Sequence, residues 1–101
     1  MMAIMTTKQL AKIYKALSNE NRLEIFLNIL KCNEKSFDSN CDCPITAIMQ
    51  NLHIGAPTIS HHLKELVNAG LIETKKDGKY LVAHVNKELL AELKNVFDIN
   101  E

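Results

Sequence analysis

The chain changes its hydrophobic period at Gly70. Before it, Ile59, Leu63, Leu66 and Val67 stand at i, i+4, i+7 and i+8, which is one stripe of an α-helix. After it, Leu71-Ile72-Glu73-Thr74-Lys75 and Lys79-Tyr80-Leu81-Val82-Ala83-His84-Val85 are β-prone runs, with Asp77-Gly78 between them as a hairpin signal. A helix that stops at a glycine and runs straight into a hairpin restricts the chain to a small mixed unit.

The helix before Gly70 has recognisable ends. Gly55 serves as N-cap, and Ala56-Pro57 fill the first turn, where the backbone N–H groups lack intrahelical partners and proline loses nothing. Gly70 is the expected C′ residue. The face away from the stripe carries Thr58, Ser60, His61, Lys64 and Glu65. A shorter helix is expected just upstream, starting at Pro44 with Asp42 or Cys43 as cap and with Ile45, Ile48, Met49 and Leu52 on its apolar side. His53-Ile54-Gly55 makes the tight turn between the two, and Ile54 plugs their angle. Two helices joined by a short Gly-containing turn form a helix-turn-helix, and the added hairpin makes the winged-helix layout of DNA-binding domains. In that layout the polar N-terminal part of the second helix meets base edges and phosphates. The hairpin tip, with Lys75, Lys76 and Lys79, suits a phosphate or minor-groove edge. Taken singly, the helix also reads as an ordinary amphipathic surface helix and the tip as a solvated Lys-rich turn; the combination carries the argument.

The remaining helices read as scaffold. Thr6 and Gln9 offer a capping box, followed by Leu10, Ile13, Tyr14 and Leu17 at helical spacing. Ser18-Asn19 breaks and recaps the chain. The next helix, Glu20 to about Lys31, has two stripes, Leu23/Phe26/Leu27/Leu30 and Ile25/Ile29/Cys32, as expected of a central helix covered on two sides. Lys31 to Asn40 reads as a polar loop. Asn86 caps a last helix carrying Leu89, Leu90, Leu93, Val96 and Phe97, a stripe that needs a partner. The expected fold is mostly α with a small β-hairpin wing, in the order α-α-α-α-β-β-α, as a single domain over residues 1–101.

Composition bounds the function classes. At 101 residues and 47% apolar, one modest core is expected. Met1-Met2-Ala3-Ile4-Met5 is too short for a signal-peptide core, and no apolar run approaches a membrane span, so a cytoplasmic protein with no membrane partner is expected. An odd number of cysteines, three, does not read as a secreted disulfide framework. There is no nucleophile elbow, no phosphate-binding Gly loop and no paired carboxylates on a rigid element, which argues against an enzyme. Twelve basic residues balance twelve acidic ones, but not evenly. From His53 to Lys87, Lys64, Lys75, Lys76, Lys79 and Lys87 face only Glu65, Glu73 and Asp77; from Glu88 onward, Lys94 faces Glu88, Glu92, Asp98 and Glu101. Positive charge thus gathers in the motif, although the weak overall field also fits a winged helix used as a protein-interaction module without sequence-specific DNA binding.

The segments KALSNENRLEIFLNIL (Lys15–Leu30) and APTISHHLKELVNAGLI (Ala56–Ile72), followed by a DGKY hairpin, resemble the ArsR/SmtB family of bacterial transcriptional repressors over nearly the whole chain. The resemblance implies a winged helix that dimerises through its first and last helices, blocks a promoter on double-stranded DNA at a palindromic operator, and lets go when a small effector binds. The DNA-contacting set it points to is Gly55, Ala56, Thr58, Ser60, His61, Lys64, Lys75, Lys76 and Lys79. Many members carry Arg where His61 stands, a permanent cation replaced by a neutral imidazole. One subgroup holds metalloids through a Cys-x-Cys inside the first helix of the motif; aligned without gaps from Pro57, those positions are Pro44 and Thr46, about one turn after Cys41-Asp42-Cys43. Another binds zinc through Asp and His on the last helix, and Asn86–Ile99 has no His.

Cys41 and Cys43 are expected in a loop just before a helix start, where the positive helix end favours the thiolate of Cys43. Two such thiolates can hold a soft ion, As(III), Cd(II) or Cu(I), with Cys32 as third ligand. The same residues would serve a dithiol redox switch, or be incidental, with Cys32 a small buried hydrophobe. Of the histidines, His61 is expected to face DNA and His62 to be a half-buried structural residue; His53 and His84 have no partners at metal spacing.

Overall fold

The computed structural model describes residues 5–34, 43–50, 52 and 54–96. Helix α1 spans Thr7–Leu17 and opens on the expected capping box: the Gln9 N–H donates to Thr6 Oγ1 (3.1 Å), and the Thr6 N–H donates to Gln9 Oε1 (2.9 Å). Ser18 closes it, and Asn19 recaps the chain, its Oδ1 accepting from the Arg22 N–H at 3.0 Å. Helix α2 spans Glu20–Glu34, one turn longer than the sequence suggested, so the expected loop from Lys31 starts later; residues 35–42 lie outside the description. Ile25, Phe26 and Ile29 are buried, and α2 packs on α1 and on every element introduced below except the wing's first strand and the last helix. Leu27, expected in a buried stripe, is 49% exposed, although Phe26 of the same stripe is buried.

The sequence suggested two strands, and three form. Strand β1, Cys43–Pro44, pairs antiparallel with β3, Tyr80–Val85, which pairs in turn with β2, Ile72–Asp77, giving the order β1-β3-β2. The partners are Cys43↔Ala83 and Pro44↔Val82. Two residues are too few to show a period, which is why β1 escaped the sequence reading, and Pro44 is tolerated because β1 is an edge strand. Helix α3 is therefore shorter than expected, Ile45–Met49, with Pro44 rather than Asp42 or Cys43 as its N-cap. Ile45 and Ile48 are buried, while Leu52 and Ile54 are half-buried against the core. The expected turn residue His53 and the Met49 side chain lie outside the description.

Helix α4 spans Ala56–Asn68 with Gly55 as N-cap. Its end is a Schellman motif. Gly70, at φ +83°, lets its own N–H reach Val67 O (2.9 Å) while the Leu71 N–H reaches Leu66 O (3.1 Å). Leu71 and Ile72 enter the core at once. In the hairpin, Asp77 pairs with Tyr80, so the two turn residues are Gly78 and Lys79, one position later than the Asp77-Gly78 signal implied. Gly78 has φ +65°, and among the described residues only glycines have positive φ, so Lys79 does not, the pattern of a type II′ turn. Asn86 then does three jobs. Its N–H donates to Leu71 O (2.9 Å), its Nδ2 to Gly70 O (3.1 Å), and its Oδ1 accepts from the Leu89 N–H (3.1 Å), capping α5, Lys87–Val96. Ile13, Ile25, Ile29, Ile59, Leu66, Leu71 and Ile72 are the most deeply buried large side chains, and they belong to one core cluster that joins α1 through β3. None of the described helices is long and apolar enough to cross a membrane.

Candidate nucleic-acid interface

Helix α4 divides cleanly between its two sides. Ile59, Leu63 and Leu66 are buried at 1%, 5% and 0% exposure, holding the helix to α2, α1 and β2. Thr58, Ser60, His61 and Lys64 are all exposed, as are Gly55 and Ala56 at the N-terminal end. The expected stripe departs at one residue: Val67 is 38% exposed, near the helix end where the chain turns away through Gly70. At the wing, Lys75, Lys76 and Lys79 are all exposed around the Gly78 turn. The cross-strand pair Glu73↔His84 adds a contact of 2.7 Å between Glu73 Oε1 and His84 Nε2, bracing the base of the hairpin. The candidate DNA-contacting residues therefore form two exposed sets, one on α4 and one on the wing, both carried by elements anchored in the core.

His62 is the buried polar residue of this region, at 5% exposure. It is more deeply buried than the half-buried state expected, and it is satisfied. The Arg22 Nε–H donates to His62 Nδ1 at 3.4 Å, and Arg22 Nη1 donates to Ala16 O at 3.2 Å. One guanidinium thus ties the end of α1, the first turn of α2 and the middle of α4. The bond requires an unprotonated Nδ1, so His62 is neutral. Burial is the first cause that pushes its pKa below 6.5; the Arg22 charge and then His61 act in the same direction, and Glu65 partly opposes them. The His61 ring lies 5.9 Å from that of His62, tilted by 51°. The part played by Arg22 escaped the sequence reading. Its signal was present: a cation in the first turn of a helix opposes the helix dipole and needs some other partner.

The sensor residues are seen in part. Cys32 is half-buried near the end of α2, packs against the core and is disulfide-bonded. Cys43 is placed by its backbone in β1; its side chain and all of Cys41 lie outside the description. The helix following Cys43 has five residues, too few for a strong dipole at its start. Among the described residues no three His, Cys, Asp or Glu side chains cluster as a metal site. Nor does α3 mainly contact α4. Among the described residues its close neighbours are β1, β3 and α2, because Pro44 and Cys43 join the sheet; α2 in turn packs extensively on α4.

Comparison with known proteins agrees with this architecture. The profile of the bacterial regulatory protein arsR family matches residues 40–74. The arsenical resistance operon repressor of Staphylococcus xylosus is 36% identical over 95 residues, covering 94% of this chain and 83% of the relative. The cadmium resistance transcriptional regulatory protein CadC of Listeria innocua is 32% identical over 90 residues, covering 86% of this chain and 69% of the relative. The solution structure of a homodimeric winged helix-turn-helix DNA-binding domain from Mycobacterium bovis superposes with TM-score 0.67 at 24% identity, covering 94% of this chain and 85% of that one. The two curated relatives are named as regulators of transcription. From the exposed α4 face, the wing and a match that spans nearly its whole length, the chain is a member of the arsR family of bacterial regulatory proteins.

Proposed function

We propose that this chain, folded as a single domain, is a cytoplasmic, homodimeric repressor that sits on an imperfect palindrome in double-stranded DNA. Each protomer lays Gly55, Ala56, Thr58, Ser60, His61 and Lys64 in a major groove and sets the lysines at 75, 76 and 79 against flanking backbone. The observation that carries this reading is the exposure of Thr58, Ser60, His61 and Lys64 on a helix whose other side is locked in the core. Dimerisation would cover the half-buried leucines of α5, and the solved relative from Mycobacterium bovis is described as homodimeric.

Release is assigned to thiol chemistry at Cys41 and Cys43 with Cys32. The effector is a thiophilic ion, As(III), Cd(II) or Cu(I), or a thiol-reactive species. Support comes from the names of the arsenical and cadmium relatives. The fold suggests how capture would reach DNA. Cys32 lies toward one end of α2, and Arg22 at the other end holds His62 of α4. Cys43 pairs with Ala83 of the wing strand. A pull on the cysteines would therefore act on α2 and β3 together, and a preference of a few kcal/mol for the non-binding geometry suffices for release.

A gel shift with the chain's own upstream DNA tests the first half, and its absence would favour a protein-interaction module. For the second half, As(III) or Cd(II) should displace the reduced wild type. A protein carrying Cys41→Ser and Cys43→Ser should bind DNA yet ignore both. Displacement of that double variant by the same ions would remove the cysteines from the mechanism.

A further inference from the structure

We propose that the cleft between α1 and α4 is a second phosphate-binding site, one that holds the DNA backbone beside the recognition helix. The cleft is open to solvent, encloses about 390 Å³, and is lined by Lys12, Lys15, Arg22, His61, Glu65 and Asn68 above a floor of Ala16 and Ala69. Three permanent cations meet a single carboxylate here, in a chain that is neutral overall. Among the described residues, Lys12, Lys15 and Arg22 have no ion-pair partner. Gathering like charges without partners is unfavourable by itself, so the arrangement is suited to an oxyanion that arrives from outside.

Arg22 supplies the fixed element. Two of its five donors are engaged, by Ala16 O and His62 Nδ1, and these hold the planar fork at the wall of the cleft with donors to spare. Lys12 and Lys15 stand three residues apart on α1 and are exposed, so they bring mobile charge to the same opening. The ligand chemistry is therefore a phosphate or phosphodiester, and its source could be DNA or a small molecule. Two features favour DNA. His61 lines the cleft and also belongs to the exposed face of α4 with Thr58, Ser60 and Lys64, so the two surfaces are continuous. A helix of roughly 10–12 Å diameter in a major groove about 12 Å wide has a phosphate strand along each flank. None of the cleft residues comes from the wing, so the cleft would engage backbone that the wing does not.

This inference rests on the DNA-binding reading, and the test separates the two. Lys12→Gln with Lys15→Gln alters exposed side chains and leaves Arg22 and the core in place. Binding to the upstream duplex and to a scrambled duplex of equal length is followed by fluorescence anisotropy across a salt series. Loss of each phosphate contact should lower the slope of log K against log salt by about 0.9, so by roughly 2 per protomer, with affinity reduced alike for both duplexes. An unchanged slope in a double variant whose circular dichroism matches the wild type overturns the site while DNA binding stands. Wild type that binds neither duplex overturns both readings. In parallel, inorganic phosphate is titrated while the His61 ring resonances are followed. If they shift in wild type but not in the double variant, and the DNA slope is the same in both, the cleft serves a free phosphate and the assignment to DNA is wrong.

Discussion

Helices α4 and α5 are both amphipathic, and the protomer treats them differently. In α4 the stripe Ile59, Leu63 and Leu66 is buried to 5% exposure or less. In α5 no residue is buried; Leu89, Leu90 and Leu93 only lean on the core, and Val96 is 43% exposed. The difference separates two jobs. A helix whose apolar side is satisfied within the protomer can offer its polar side to DNA as a rigid surface. A helix whose apolar side is only half covered has burial still to gain, and a second protomer would supply it.

The sharpest way to break this contrast is Leu66→Ala. Removal of a fully buried leucine should cost about 2–5 kcal/mol, read as a lower denaturation midpoint at every protein concentration. The half-buried Leu93 should behave otherwise: Leu93→Ala should cost about 1 kcal/mol in dilute protein and more at concentrations where dimers form. Equal, concentration-independent losses would mean that α5 is as much a part of the protomer core as α4.

Next in size is Leu93→Asp. A carboxylate on the half-covered face should leave the protomer folded, because the core cluster is centred on the other helices, yet it should block pairing. Light scattering should report a monomer, and operator binding should fall below detection because one half-site is too weak alone. A folded Leu93→Asp protein that still binds as a dimer would place the two-fold contact elsewhere.

His62 gives a smaller effect with a definite sign. Its folded pKa lies below 6.5, so between the folded value and 6.5 the unfolded chain binds the proton more readily. The stability contributed by neutral His62 is complete above 6.5 and is lost as pH falls through the folded value. Thermal melts should therefore drop on acidification from neutral pH toward 5. In His62→Gln, which can still accept from Arg22, that part of the pH dependence should disappear. An unchanged acid limb in the variant would assign it to other groups.

How much of this was legible beforehand follows physical lines. The capping box at Thr6, the Gly70 stop and the Asn86 cap were readable because each is a local hydrogen-bond pattern written in adjacent residues. The buried stripe of α4 was readable from its period. What escaped was non-local. Strand β1 is two residues whose partners lie about forty positions away, and no local signal announces such a pairing. Arg22 and His62 are separated by forty residues, so their contact exists only once α2 crosses α4. Leu27 and Val67 sit at proper helical spacing yet face outward, because a periodic stripe does not reveal how wide the covering surface is. Of the candidate site, the residue list could be read from sequence; the exposure of α4 and the cationic cleft beside it required the packing of α1 and α2.

The smallest effect concerns the exposed side of α4 alone. Lys64 is exposed, so Lys64→Ala should change stability by less than about 0.5 kcal/mol. Its expected signature is electrostatic, a decrease of about 0.9 per protomer in the salt slope of operator binding. His61→Arg should move the slope the other way, since it places a permanent cation on the same exposed face. The pair tests the comparison between the helices from the α4 side, because the same two changes of charge placed on exposed positions of α5, Lys94→Ala and Asn95→Arg, should leave the slope alone. If the α5 changes shift the slope as much as those on α4, the polar face of α4 holds no privileged place against DNA. The division of labour between the two helices would then have to be redrawn.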